Sequence, residues 1–116
     1  MKSKKRRYIF VLKFITAARG DQLLGFFKDL FGTIKFYQAQ PVVVFDSPEW
    51  TVIRVNHKYV TELRATICAF GEPGGFYTLL VSGSIRGLIR GLGPRKEGER
   101  YTEALRQRYL NERLSN

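Results

Sequence analysis

Cysteine is almost missing from this chain. Cys68 stands alone in 116 residues, so no internal disulfide forms, and the composition fits a reducing, intracellular and cytoplasmic setting. Histidine is equally scarce: His57 is the single one, and no Cys/His cluster has metal-ligand spacing. Long apolar runs are lacking too. None approaches the roughly 18 residues that a membrane span needs, so no membrane partner is expected. The apolar stretch from Tyr8 to Ile15 follows a basic N-terminus, but Lys13 interrupts it and no small-residue cleavage site follows, which argues against a signal peptide.

Acids are few and scattered, 10 against 20 Lys and Arg, and suggest no paired-carboxylate site. His57 falls at a predicted helix start and reads as a surface or capping neighbour. Cys68, beside Ile67 on the same predicted helix, reads as a buried and inert thiol. The glycines of "GSIRGLIRGLG" match neither a dinucleotide-binding nor a P-loop fingerprint, because no Gly-Lys-Ser/Thr follows. They have Gly-xxx-Gly spacing, yet two arginines in the segment exclude a membrane dimerisation helix. No catalytic residue, metal ligand or protein-bound cofactor is assigned.

What the chain does have is positive charge, and the charge is segregated. Residues 1–19 hold seven Lys/Arg and no acid; residues 20–80 hold five bases and six acids; residues 81–116 hold eight bases and four acids. The excess sits at the two ends of an otherwise balanced domain. Such a field favours a polyanion, either nucleic acid or an anionic membrane surface. With 44% apolar residues the chain is long and apolar enough for one domain with a real core.

The pattern along the chain predicts β-α-β-β-α-β followed by helices. "RYIFVLKFI" is a strand, apolar almost without interruption and so buried in the sheet. "GDQLLGFFKDLFGTI" places Leu23, Phe27, Leu30 and Ile34 at helical spacing, with Asp21 as N-cap and Gly32 ending or bending the helix. "PVVVFD" and "WTVIRV", joined by the turn "DSPE", form a hairpin. Asn56 caps a helix over "HKYVTELRATICAF", with Val60, Leu63 and Ile67 inward. "FYTLLVSG" is the fourth strand, "SIRGLIRGL" a short helix, and "ERYTEALRQRYLNERL" an amphipathic closing helix. This order predicts an α+β, ferredoxin-like (RRM-like) sandwich: a four-stranded antiparallel sheet with helices on one face, plus C-terminal helices. The expected organisation is a flexible basic arm over 1–6, an RNA-binding sandwich over 7–92, and a basic linker and helix over 93–116.

"GFYTLLV" lacks the alternating basic-glycine-aromatic pattern by which such sheets stack bases, so Phe76 and Tyr77 read as core and edge residues. Phosphate and shape contacts are expected instead. The stretch "LLVSGSIRGLIRGLG" suits them. Ser82, Gly83 and Ser84 form a corner whose last serine caps the short helix, and a helix start is an anion site. Arg86 and Arg90 lie one turn apart on one face. Gly87 and Gly91 flatten the neighbouring face so that another backbone can lie against it. The candidate RNA-binding residues are Lys4, Lys5, Arg6 and Arg7 of the arm, Ser82, Gly83, Ser84, Arg86 and Arg90 of the corner and helix, and Arg95 and Lys96 beyond it.

Three stretches, "RRYIFVLKF", "VIRVNHKYVTELRATI" and "LLVSGSIRGLIR", resemble the archaeal ribonuclease P protein component 2 family, whose eukaryotic members serve ribonuclease P and its mitochondrial-RNA-processing relative. The resemblance spans about Arg7 to Arg90, and its most specific element is the "VSG[ST]I[KR]" corner, here Val81 to Arg86. It implies a subunit of an RNA-based endonuclease that removes the 5′ leader from precursor tRNA, with the RNA and its Mg²⁺ doing the chemistry. It further implies support of the catalytic half of that RNA, near the precursor tRNA and among other ribonuclease P subunits. The implied direct partner is protein component 3, a TIM-barrel-like subunit, in a 2:2 heterotetramer. A ribosomal or ribosome-assembly protein would share the charge pattern without these stretches. A small-molecule enzyme or regulator of the same fold would need clustered polar residues on the sheet face, which the sequence does not offer.

Overall fold

A computed structural model describes residues 5–13, 19–70, 75–93 and 96–115, the last segment with side chains for 101–112. The elements are β1 (Arg6–Lys13), α1 (Gly20–Ala39), β2 (Val42–Asp46), β3 (Trp50–Asn56), a single 3-10 turn (His57–Tyr59), α2 (Val60–Ala69), β4 (Phe76–Ser82), α3 (Ile85–Leu92) and α4 (Lys96–Ser115). The strands form one antiparallel sheet in the order β2-β3-β1-β4. This is the predicted ferredoxin-like arrangement.

The near-continuous apolarity of β1 has a direct cause: both faces of the sheet are covered. Ile9 and Val11 point to α1 and α2, where they pack with Leu23, Phe27, Ile53, Leu63 and Ile67. Phe10 and Leu12 point the other way and pack with Trp50, Val52, Leu88, Leu92 and Leu105. Phe10 stacks on Trp50 at 5.3 Å between ring centroids and meets Tyr101 of α4 at 5.8 Å. With Leu105 fully buried, α4 belongs to the core of the domain and is no appendage to it.

Two ladder irregularities tune the second face. Phe10 pairs with Leu80 and Val11 with Thr78, so Leu79 is an extra residue in β4 and both Leu79 and Leu80 pack towards α3 and α4. A similar shift occurs in β2 between Val43 and Phe45. Below the hairpin, Asp46 ties three elements: it takes the almost buried Lys13 ammonium at 2.6 Å and the Gly20 N–H at 3.1 Å. Asp46 is partly exposed, so removing it should cost less than the roughly 3–5 kcal/mol typical of a fully buried pair.

Several sequence expectations need correction. Arg19, not Asp21, is the N-cap of α1; the Gln22 side chain accepts from the Arg19 N–H at 2.8 Å, which starts the helix earlier. Gly32 bends the helix without ending it, with φ 92° and ψ 167°, and the chain resumes helical geometry to Ala39. Leu30 and Ile34 are 48% and 75% exposed although Leu23 and Phe27 are buried: before the break α1 turns Phe31, not Leu30, to the core, and beyond it the helical spacing from Phe27 no longer holds. Cys68 is exposed: α2 buries Leu63, Thr66 and Ile67, and the next residue turns to solvent. Finally, Arg6 is the first residue of β1 and does not belong to a free arm.

Candidate nucleic-acid interface

The antiparallel register collects the basic N-terminus and the Ser-Gly-Ser corner at one end of the sheet. Tyr8 pairs with Ser82, and Arg6 pairs with Asn56, so β1 begins where β3 and β4 finish. At that end a Cβ on Gly83 would sit 3.5 Å from the Arg7 guanidinium, which itself donates to the Arg6 carbonyl at 3.3 Å. Lys5 is fixed by its carbonyl, which accepts from the His57 N–H at 2.9 Å and lies 3.0 Å from His57 Nδ1. His57 therefore anchors the root of the basic segment. Lys58, exposed, adds a further charge beside it.

From the corner, α3 leads the charge away along the surface. Ser84 is extended (φ −155°, ψ 161°) and its Oγ accepts from the Gly87 N–H at 3.0 Å, the geometry of a serine N-cap. Ile85, Leu88 and Leu92 are buried against the sheet and hold the helix down. Arg86 and Arg90 project outward from the opposite side; both are exposed and neither makes an ion pair among the described residues. Two exposed guanidiniums one turn apart are available to an anionic partner such as phosphate.

The flat glycine face has an intramolecular use: the element that lies against it is β4 of the same chain. A Cβ on Gly87 would meet Ser82 Oγ, and one on Gly91 would come 2.5 Å from Leu80 Cδ2. The two glycines let α3 lie directly on β4. Gly83 differs: its backbone is outside the left-handed region and its surroundings are open except for Arg7.

Arg106 and Arg108 of α4 are committed elsewhere. Arg106 pairs with Glu103 at 2.7 Å. Arg108 lies over the rings of Phe45 and Trp50, 5.4 and 5.9 Å from their centroids, and donates to Ser47 Oγ at 3.0 Å. Arg108 docks the helix onto the β2–β3 turn.

Among the candidates, then, Arg6, Arg7, Ser82, Gly83 and Ser84 share one end of the sheet, with Lys5 beside them and Arg86 and Arg90 continuing from them. Lys4 and Arg95 lie outside the described residues, and Lys96 is described only as the first residue of α4. Phe76 is buried and Tyr77 exposed at 46%, as expected of core and edge. The sheet face that could stack bases is filled by α3 and α4, with Phe10 and Trp50 inside the core. Sequence reasoning missed Arg54 and Asn56, which join this end of the sheet from β3; the one available signal was a base breaking the apolar run "WTVIRV". No group of three His, Cys, Asp or Glu among the described residues could hold a metal, and no helix of these residues is long and apolar enough to cross a membrane.

A scan against protein-family models matches none of them, and a search of curated proteins finds no match either.

Proposed function

We propose that this chain is a protein subunit of ribonuclease P that acts in the cytoplasm, binding and stabilising the catalytic half of the RNA that removes the 5′ leader of precursor tRNA. One observation carries the reading. The corner that resembles the family most specifically, Val81 to Arg86, stands where the register gathers Arg6 and Arg7 and where the unpaired Arg86 and Arg90 begin. The covered second face of the sheet supports phosphate contacts over base stacking.

In this mechanism the chain contributes position and charge. Its arginines neutralise phosphates of a folded RNA and release counterions, which favours the compact RNA conformation. The bond-breaking step belongs to the RNA with its Mg²⁺. Protein component 3, in a 2:2 complex, and other ribonuclease P subunits complete the assembly around the precursor tRNA.

Reconstitution tests this directly. Cognate ribonuclease P RNA should cleave precursor tRNA faster when the chain and its component 3 partner are both added, and the chain alone should cleave nothing. Cleavage by the protein without RNA, or no stimulation of the RNA, refutes the reading.

A further inference from the structure

Across β1 from the Ser-Gly-Ser corner, at the same end of the sheet, lies a second basic feature. Arg6, Gln40, Val42, Arg54 and Asn56 line a depression of about 240 Å³. Its assembly follows from the register: Arg6 pairs with Asn56, Arg54 pairs with both Tyr8 and Val42, and all four strand positions fall on one sheet face. Gln40, held in the left-handed conformation (φ 50°, ψ 54°) at the end of α1, closes the rim.

The lining is made of donors. Arg6 and Arg54 bring two guanidiniums, and neither forms an ion pair among the described residues. Asn56 Oδ1 accepts from the Lys58 N–H at 3.0 Å, which leaves both N–H groups of its side-chain amide to donate. No carboxylate of the described residues lines the depression. Glu112 lines a neighbouring one of about 170 Å³ that also includes Arg54, without pairing to it. At this size the site is smaller than the roughly 300–1,000 Å³ of small-molecule pockets, which suits a phosphate and its sugar oxygens better than a cofactor.

We propose that this depression is a phosphate-binding site for the backbone of an RNA strand, with Arg54 and Arg6 as the paired guanidiniums and Asn56 as the third donor. It rests on the reading of the chain as an RNA-binding subunit and adds to it a contact separate from the corner. RNA is favoured over an acidic protein because Arg6 belongs to a stretch, residues 1–19, that carries seven bases and no acid.

The test uses the full chain with two probes, ribonuclease P RNA and a ribosomal RNA of similar length, titrated at about 50 and 200 mM salt. Arg54→Gln removes one guanidinium. Asn56→Asp keeps the acceptor for Lys58 and puts a negative charge among the donors, so it tests the site even where Arg54→Gln lowers the melting temperature. Arg54→Gln should flatten the salt dependence, so that affinity falls about threefold less between the two salts, as expected for one lost phosphate contact. Asn56→Asp should weaken binding by at least about tenfold. If the wild type binds both RNAs equally and the variants lose affinity for both, the site stands and the ribonuclease P assignment falls. If the wild type prefers ribonuclease P RNA and Asn56→Asp binds it unchanged, the site falls alone. Loss of component 3 binding with RNA affinity intact also overturns it, in favour of an acidic protein surface.

Discussion

Replacing Arg86 and Arg90 together with alanine separates RNA binding from folding. Both side chains are exposed and lack an ion pair among the described residues, and alanine suits a helix at least as well as arginine, so stability should change by no more than about 0.5 kcal/mol. A hydrogen bond to a charged group is worth roughly 1.5–3 kcal/mol. Losing both contacts should therefore weaken RNA binding by about 3–6 kcal/mol if they are additive, or about 10²–10⁴-fold, and lower the log-log salt slope by about two units. Arg106→Ala with Arg108→Ala removes the same formal charge from α4 and should do the reverse. The exposed Glu103 pair contributes about 0.2–0.5 kcal/mol, the two ring contacts of Arg108 about 0.5–1 each, and its bond to Ser47 about 0.5–1.5. Melting should drop by several degrees while RNA affinity per folded molecule changes little. Fluorescence anisotropy over a salt series, beside thermal melting, reads both quantities. A larger affinity loss from the α4 pair would make the corner a structural cap and α4 the RNA-binding element. Loss of component 3 binding from the α3 pair, with RNA affinity retained, would make α3 a protein interface.

Other perturbations test other links. Removing residues 1–4 spares the Lys5–His57 anchor and β1, so it should lower the RNA salt slope without changing melting; an unchanged slope would show that these residues do not touch RNA. Gly91→Val would drive its side chain into Leu80 and should cost about 1–3 kcal/mol in thermal melting. Gly83→Val meets only Arg7 and has no left-handed backbone to strain, so it should impair RNA affinity and leave melting nearly unchanged. Cys68→Ser should leave reconstituted cleavage within a few-fold of wild type, and the native thiol should react readily with maleimide, because it is exposed; a hundredfold loss of cleavage with intact folding would reveal a chemical role.

The element order was legible because strand and helix periods differ and each predicted element buries one consistent set of residues. Leu63 and Ile67 of α2 and the Ser84 cap of α3 behave as their spacing suggests. Other features depend on a single backbone torsion or on distant neighbours. The φ of Gly32 breaks the helical spacing before Ile34, which faces solvent, and no apolar spacing reports that angle. The small face of α3 is visible as Gly87 and Gly91, but its partner, β4, is set by the register shift at Leu79, a tertiary matter. The phosphate depression is harder still, since three strands and the end of α1 must meet before Arg6, Arg54 and Gln40 become neighbours. Arg108 looks like any solvated tail arginine until the β2–β3 turn comes under it.

The most direct test of the ribonuclease P assignment is the identity of the RNA that the chain holds in a cell. Tagged full-length protein, captured from extract at low salt and washed at rising salt, yields an RNA population that can be sequenced. Enrichment of ribonuclease P RNA, persisting longest in the washes and reduced by Arg86→Ala/Arg90→Ala, is the expected result. Enrichment of ribosomal RNA, or no specific RNA at all, would contradict the assignment.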